Sequence, residues 1–288
     1  MKAHQARQIF RQHLASGRCV HPASVFDPLS ARLAEDAGFE IGMLAGSTAS
    51  LSVLAAPDLI VLTLTELAQQ VRRICRAVAL PLLVDADHGY GAALNARRTV
   101  EELENAGVAA LTLEDTLLPA AFGGSGKPSL VSCEEAAGKL RAALDAREDS
   151  SLAIVGRTSA PQVTGLPDTL QRLRAYEAAG VDALFLVGVR TWAQLEEIRG
   201  AVRLPVILGS AGPELNDTQR LGRLGVALAL QGHQPIAAAV QAMQATYRSL
   251  REGTAPAALT GIAPAALLDE VMRADQYDRW VARFSRSA

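Results

Sequence analysis

Two carboxylates, Asp85 and Asp87, stand in Asp85-Ala86-Asp87-His88-Gly89-Tyr90-Gly91, directly after the apolar run Pro81-Leu82-Leu83-Val84. A second acidic pair, Glu114-Asp115, follows Ala109-Ala110-Leu111-Thr112-Leu113. Acidic groups at the exits of two buried strands suit a hard divalent cation, which offsets the repulsion between gathered carboxylates. Residues i and i+2 of a strand project to the same side, so Asp85 and Asp87 converge on one cation if the extended conformation continues that far. Mg²⁺ prefers about six oxygens, often with only one or two carboxylates among them. Asp85 is therefore the candidate for direct ligation, with Asp87 and Glu114 holding metal-bound waters. An isolated Asp-x-Asp after a strand is more often a helix cap or turn former; the conjunction with Glu114 favours the metal.

A small anionic substrate also needs a positive partner. Arg157 closes the apolar segment Ala153-Ile154-Val155-Gly156 and is the candidate anion binder, with a structural counter-ion role toward Glu114 or Asp115 as the alternative. His233, in Leu230-Gln231-Gly232-His233, is either a site residue or a rim histidine. His21, Gly46 with Ser47, Gly188 and Ser210 complete the residues at expected strand ends. His4 and His13 fall in a first amphipathic helix within Met1 to Arg18 and are expected to be solvated.

The elements that must position these groups alternate regularly. Short apolar runs predict strands at Arg18–His21, Ile41–Ala45, Pro81–Asp85, Ala109–Glu114, Leu152–Arg157, Ala183–Gly188, Pro205–Leu208 and Val226–Gln231. Segments with apolar residues at three and four spacing predict helices at Pro28–Ala37, Thr65–Val78, Ala96–Ala106, Glu134–Arg147, Asp168–Ala179, Trp192–Val202, Thr218–Leu224 and Pro235–Glu252. Unbroken βα alternation predicts an α/β fold: one TIM-type (β/α)8 barrel domain over 1–288, with an N-terminal helix and with 253–288 as a helical tail. Barrel active sites lie at the C-terminal ends of the strands, where the residues above collect. In the tail, Tyr277, Trp280, Val281 and Phe284 share one helical face, which must fold back on its own barrel or pack on a neighbouring subunit.

Other chemistries are disfavoured. Gly123-Gly124-Ser125-Gly126-Lys127 lacks the first glycine and the final Ser or Thr of a phosphate loop, and Thr116–Ser132 is better taken as a long loop able to act as a lid. Gly89-Tyr90-Gly91 lacks the rest of a dinucleotide fingerprint. Cys19, Cys75 and Cys133 are too scattered for a disulfide framework or a thiolate zinc site and are expected to be reduced. A net charge of −2 gives no reason to expect nucleic acid or an acidic membrane surface, no apolar stretch approaches the roughly 18 residues of a membrane span, and no secretory leader is evident, so a cytoplasmic protein is expected.

Together, Ala45-Gly46-Ser47, Asp85-Ala86-Asp87-His88-Gly89-Tyr90-Gly91, Leu113-Glu114-Asp115 and Gly156-Arg157-Thr158 resemble the isocitrate lyase and phosphoenolpyruvate mutase superfamily. The Lys-Lys/Arg-Cys-Gly-His loop of its isocitrate- and methylisocitrate-cleaving lyases is absent. Thr116-Leu117-Leu118-Pro119-Ala120-Ala121-Phe122-Gly123 and Ser24-Val25-Phe26-Asp27-Pro28 look instead like the bacterial oxaloacetate decarboxylase branch. The resemblance implies Mg²⁺ as cofactor, with Mn²⁺ as a possible substitute, a barrel with its eighth helix exchanged between subunits, and a homotetramer built from dimers. It implies that Gly46, Ser47, Arg157 and His233 bind a small 2-oxo acid, that Arg157 and His233 serve catalysis, and that Asp85 binds the metal. The implied reaction is decarboxylation of oxaloacetate to pyruvate and CO₂ through a metal-stabilised enolate. Ser159 replaces the usual Asn or Asp after Arg-Thr, and the loop Gly209-Ser210-Ala211-Gly212-Pro213 is short. These departures keep two rivals open: a C–C or C–P bond lyase or mutase acting on another 2-oxo or 2-hydroxy acid, and a non-catalytic barrel that binds a 2-oxo acid.

Overall fold

The computed structural model describes residues 2–119 and 127–285. The first half runs α1 (Lys2–Leu14), β1 (Ala23–Ser24), α2 (Pro28–Asp36), β2 (Gly42–Leu44), α3 (Gly46–Leu54), α4 (Leu64–Ala77), β3 (Leu82–Asp85), α5 (Ala93–Ala106), β4 (Ala110–Glu114) and α6 (Cys133–Ala146). Then come β5 (Ala153–Thr158), α7 (Ala160–Val163), α8 (Leu166–Ala179), β6 (Ala183–Val187), α9 (Trp192–Ala201), β7 (Val206–Gly209), α10 (Thr218–Arg223) and β8 (Val226–Ala229). The eight strands found among the described residues are parallel and ordered β1 to β8. Val20 closes the ring: its N–H donates to the Ala227 carbonyl at 3.0 Å and its carbonyl accepts from Ala229 N at 3.1 Å.

Every residue of β3 and β4 is buried, as expected of parallel strands covered on both faces, which read as apolar runs rather than alternating patterns. Around them, α4 shows the complementary pattern. Leu67, Val71 and Ile74 recur at helical spacing and are buried, and Thr63 and Glu66 form a reciprocal cap at its start. Inside the barrel, Met43, Leu83, Val155, Phe185 and Ile207 pack with Phe10 and Leu14 of α1. The first helix thus plugs the end of the barrel remote from the strand C-termini.

The first strand differs from expectation. It occupies Ala23–Ser24 rather than Arg18–His21, because Pro22 has no N–H to continue the ladder and leaves Val20 as an isolated bridge. Two short helices in the βα loops, α3 and α7, were not expected. His13 is not solvated: it is buried, with Nε2 donating to the Ala227 carbonyl at 3.1 Å. Residues 120–126, with most of the glycine-rich run and the centre of the expected lid, lie outside the described residues.

Buried ion pairs fix α1. Arg7 donates to Asp149 Oδ2 at 2.8 Å, the Glu104 carbonyl at 2.8 Å and the Val108 carbonyl at 3.0 Å. Arg7→Met should lower unfolding free energy by about 3 kcal/mol, because it removes the cation paired with Asp149 and leaves two carbonyls without their donor. Urea denaturation at neutral pH measures it. Hydrogen bonding from Ser151, then from His4 and Arg7, holds the Asp149 carboxyl well below the usual carboxylate range. A depressed folded-state pKa contributes stability above the unfolded value, about 3.9, and loses it as pH falls toward the folded value. Wild type and Arg7→Met should therefore converge in stability on acidification.

Residues Met1–His233 form one compact unit and Gln234–Ala288 a second. The second unit contains α11 (Gln234–Arg251), a 3-10 turn at Pro256–Ala258, α12 (Ala265–Met272) and α13 (Ala274–Phe284). Tyr277 and Trp280 meet edge to face with ring centres 5.2 Å apart, and Tyr277, Trp280, Val281 and Phe284 are exposed. Among the described residues no helix is long and apolar enough to cross a membrane.

Candidate active site

The site grows from the ends of β3, β4 and β5. β3 ends on Asp85, β4 on Glu114, and the register sets Glu114 directly beside Arg157 of β5. The guanidinium bridges both acids: Nη1 donates to Asp85 Oδ2 at 2.5 Å, and Nη2 lies 3.2 Å from Glu114 Oε2. Asp85 Oδ1 accepts from Thr112 Oγ1 at 3.0 Å and from Asp87 N at 3.3 Å. Burial disfavours the charged guanidinium of Arg157, but Asp85 and then Glu114 outweigh it and raise the group above its ordinary value. Its Nε, buried, has no partner among the described residues. Arg157 is therefore counter-ion to Asp85 and Glu114, not to Asp115. Asp115 faces elsewhere and accepts from Tyr176 Oη at 2.6 Å and Arg172 Nη1 at 3.1 Å.

Asp87 departs from the strand geometry expected for it. Its φ is 48°, in the left-handed region, so the i, i+2 alternation stops at Asp85. Its carbonyl accepts from Glu114 N at 2.8 Å, which ties the two acidic strand ends together. Its carboxylate lies against Gly46: a Cβ there would come within 2.6 Å of Asp87 Oδ1. Burial, then the charges of Asp85, Asp58 and Glu114, push the Asp87 carboxyl well up, with Arg157 opposing. Glu114 is also raised, chiefly by burial. Among the described residues no three His, Cys, Asp or Glu side chains are gathered closely enough to form a complete metal cage.

A cavity of about 600 Å³ opens over these strand ends, and Ser47, Asp58, Asp85, Arg157, His21 and His233 line it. Asp87 and Glu114 lie behind that lining and act on it through Asp85 and Arg157, while Gly46, which has no side chain to present, precedes Ser47 at the start of α3. Ser47 comes from the first turn of α3, whose leading N–H groups have no helical partners and point toward incoming negative charge. His233 Nδ1 is 2.8 Å from Ser24 Oγ, and burial lowers its basicity against the opposing charges of Asp85 and Asp58. Asp58 was not among the residues singled out in the sequence, because it follows no strand. Burial and then Asp85 raise its carboxyl, with Arg157 and His233 opposing.

The family model for phosphoenolpyruvate phosphomutase matches residues 10–251. The chain belongs to the phosphoenolpyruvate mutase/isocitrate lyase superfamily. Within this superfamily it falls in the oxaloacetate decarboxylase branch. It is 57% identical over 269 residues to oxaloacetate decarboxylase of Rhodopseudomonas palustris, covering 93% of each chain. It is 56% identical over 267 residues to that of Bradyrhizobium diazoefficiens, covering 93% of this chain and 92% of the relative. Among superfamily structures, phosphonopyruvate hydrolase in complex with oxalate and Mg²⁺ superposes with a TM-score of 0.87 at 28% identity, covering 98% of this chain and 99% of the other. Oxaloacetate acetylhydrolase bound to 3,3-difluorooxalacetate superposes at 0.86 with 27% identity, covering 99% of each. These superfamily neighbours share the barrel expected from the sequence.

Proposed function

We propose that this chain decarboxylates oxaloacetate to pyruvate and CO₂ with Mg²⁺ as cofactor, Mn²⁺ being an alternative ion. The observation that carries the reading is the Asp85–Arg157 pair in a cavity whose buried acids are only partly neutralised, in a chain 57% identical to an oxaloacetate decarboxylase.

The donor set fits a Mg²⁺ ion. A carboxylate offers about four lone-pair sites, and Asp85 commits three, to Arg157, Thr112 and Asp87 N. One site is left for a cation, and burial, together with the neighbouring carboxylates, makes Asp87 and Glu114 weaker acids than usual, a cost that a divalent ion would offset. Asp85 would hold the ion, with Asp87 and Glu114 orienting its waters. When bound, it supplies a Lewis acid for the charge that develops on the 2-oxo oxygen as CO₂ departs. Arg157 and the α3 N–H groups at Gly46 and Ser47 grip the carboxylate and oxo oxygens. His233, braced by Ser24, closes the opposite wall. Departure of CO₂ needs no base, which suits a cavity whose lining, among the described residues, contains no lysine or cysteine.

The same proposal covers the assembly and location. Residues 1–288 would act as one barrel domain with 253–288 as its tail, in a cytoplasmic homotetramer of helix-exchanged dimers with neither nucleic acid nor membrane as partner. Support comes from α11, where Met243 and Tyr247 are exposed, and from the bare apolar face of α13.

Purified protein with Mg²⁺ should release CO₂ from oxaloacetate well above the metal-only background and lose that excess with a chelator; no excess would overturn the reading. Gly46→Ala is expected to weaken Mg²⁺ binding about 10- to 100-fold by displacing the Asp87 carboxylate, the usual effect of disturbing a ligand's support. Calorimetric titration with Mg²⁺ and oxalate measures it.

A further inference from the structure

His21 faces the same cavity as Arg157 and Asp85. It sits between the Val20 bridge and β1, at the C-terminal end of β8. In an eight-strand ring closed by Val20 and Leu228, β1 lies four strands from β5 in either direction. The His21 wall is therefore opposite Arg157.

His21 Nδ1 lies 2.7 Å from the Ala229 carbonyl oxygen. A carbonyl only accepts, so Nδ1 must carry its hydrogen in both the neutral and the charged ring. The proton that can come and go is then the one on Nε2, the nitrogen left for the cavity. The carbonyl also fixes the ring plane, as in other histidines oriented through one ring nitrogen. His233 has no such constraint: its partner Ser24 Oγ can donate or accept, so neither tautomer is imposed.

We infer that His21 is the general acid that protonates the product enolate. The inference rests on the decarboxylase reading. The C3–C4 bond breaks, C4 leaves as CO₂, and its electron pair becomes the C2–C3 π bond of pyruvate enolate. Nε2–H of the His21 imidazolium then gives its proton to C3, forming the methyl group of pyruvate. The neutral ring regains a proton from solvent water, so each turnover consumes one proton. Run backwards, the last step removes a methyl proton from bound pyruvate.

That reversal gives a test independent of CO₂ release. Wild-type protein with Mg²⁺ and pyruvate in D₂O should exchange the methyl protons, followed by ¹H NMR. Both substitutions remove the imidazole: the His21→Asn amide keeps a donor near the Ala229 carbonyl, and the His21→Gln amide reaches toward the Nε2 position but cannot serve as an acid there. Both should lower exchange at least about 100-fold, the usual scale of a general acid, and lower it by at least about tenfold more than they lower CO₂ release. Oxalate binding with Mg²⁺ by calorimetry shows that each variant's site is folded. Equal losses in the two assays, undiminished exchange in both variants, or no exchange by wild type would each overturn the inference. Exchange that depends on His21 in a protein releasing no CO₂ from oxaloacetate would uphold it and overturn the decarboxylase reading instead.

Discussion

Asp85→Asn is expected to cut Mg²⁺-dependent decarboxylation of oxaloacetate by at least about 10³-fold. A metal acting as Lewis acid supplies several kcal/mol of charge stabilisation, and about 4 kcal/mol corresponds to three powers of ten in rate. The amide retains an oxygen for Thr112 Oγ1, so the barrel end stays hydrogen-bonded, but it lacks the charge that would hold the ion. Asp87→Asn should cost less, because Asp87 stands behind the cavity lining and works on bound water rather than on the ion itself. Steady-state CO₂ release across a Mg²⁺ titration separates the two: Asp85→Asn should fail to recover at saturating Mg²⁺, while Asp87→Asn should recover most of its rate. Equal, fully recoverable losses would remove Asp85 from its assigned place.

Arg157→Met should be as damaging to activity and far more damaging to the fold. The guanidinium is the positive partner of Asp85 and Glu114 and packs over the Phe185 ring, 5.3 Å from its centre. Taking it away leaves buried carboxylates with no counter-charge, a change that costs about 3–5 kcal/mol in comparable buried pairs. Loss of the substrate grip should lower kcat/KM by roughly 10³-fold or more. Arg157→Lys should recover stability better than activity, since an ammonium restores charge but not the planar fork that reaches two carboxylates at once. Mg²⁺ should stabilise Arg157→Met more than wild type, because the ion then meets the acids alone. Thermal unfolding with and without Mg²⁺, set beside initial rates, checks all three expectations.

The parts of this site legible in the sequence are those whose position follows from strand periodicity. Asp85, Glu114 and Arg157 each close an apolar run, and a parallel strand buried on both faces ends at the active rim. The parts that were not legible depend on the chain between the strands. The α3 helix begins Gly46-Ser47-Thr48-Ala49-Ser50, all but Ala49 weak helix formers, so its conformation is set by packing rather than by propensity. Asp58 belongs to the segment after that helix, and only the three-dimensional path of the segment brings it to Asp85 and His233. Asp87 lies beside Gly46 for a reason that strand periodicity does not supply: a left-handed residue, not an alternating strand, turns its carboxylate there. His21 was named as a strand-end residue, but its tautomer could be known only once the Ala229 carbonyl was found beside it.

The central claim is that Asp85 anchors a divalent ion against which a small 2-oxo acid is held by Arg157 and the start of α3. A crystal soaked with oxalate and Mn²⁺, with anomalous data collected at the manganese edge, tests it most directly. The account predicts one anomalous peak within bonding distance of an Asp85 carboxylate oxygen, chelated by oxalate whose free oxygens meet Arg157 and the N–H groups at Gly46 and Ser47. Oxalate bound with no metal peak, or a metal held away from Asp85, would contradict it.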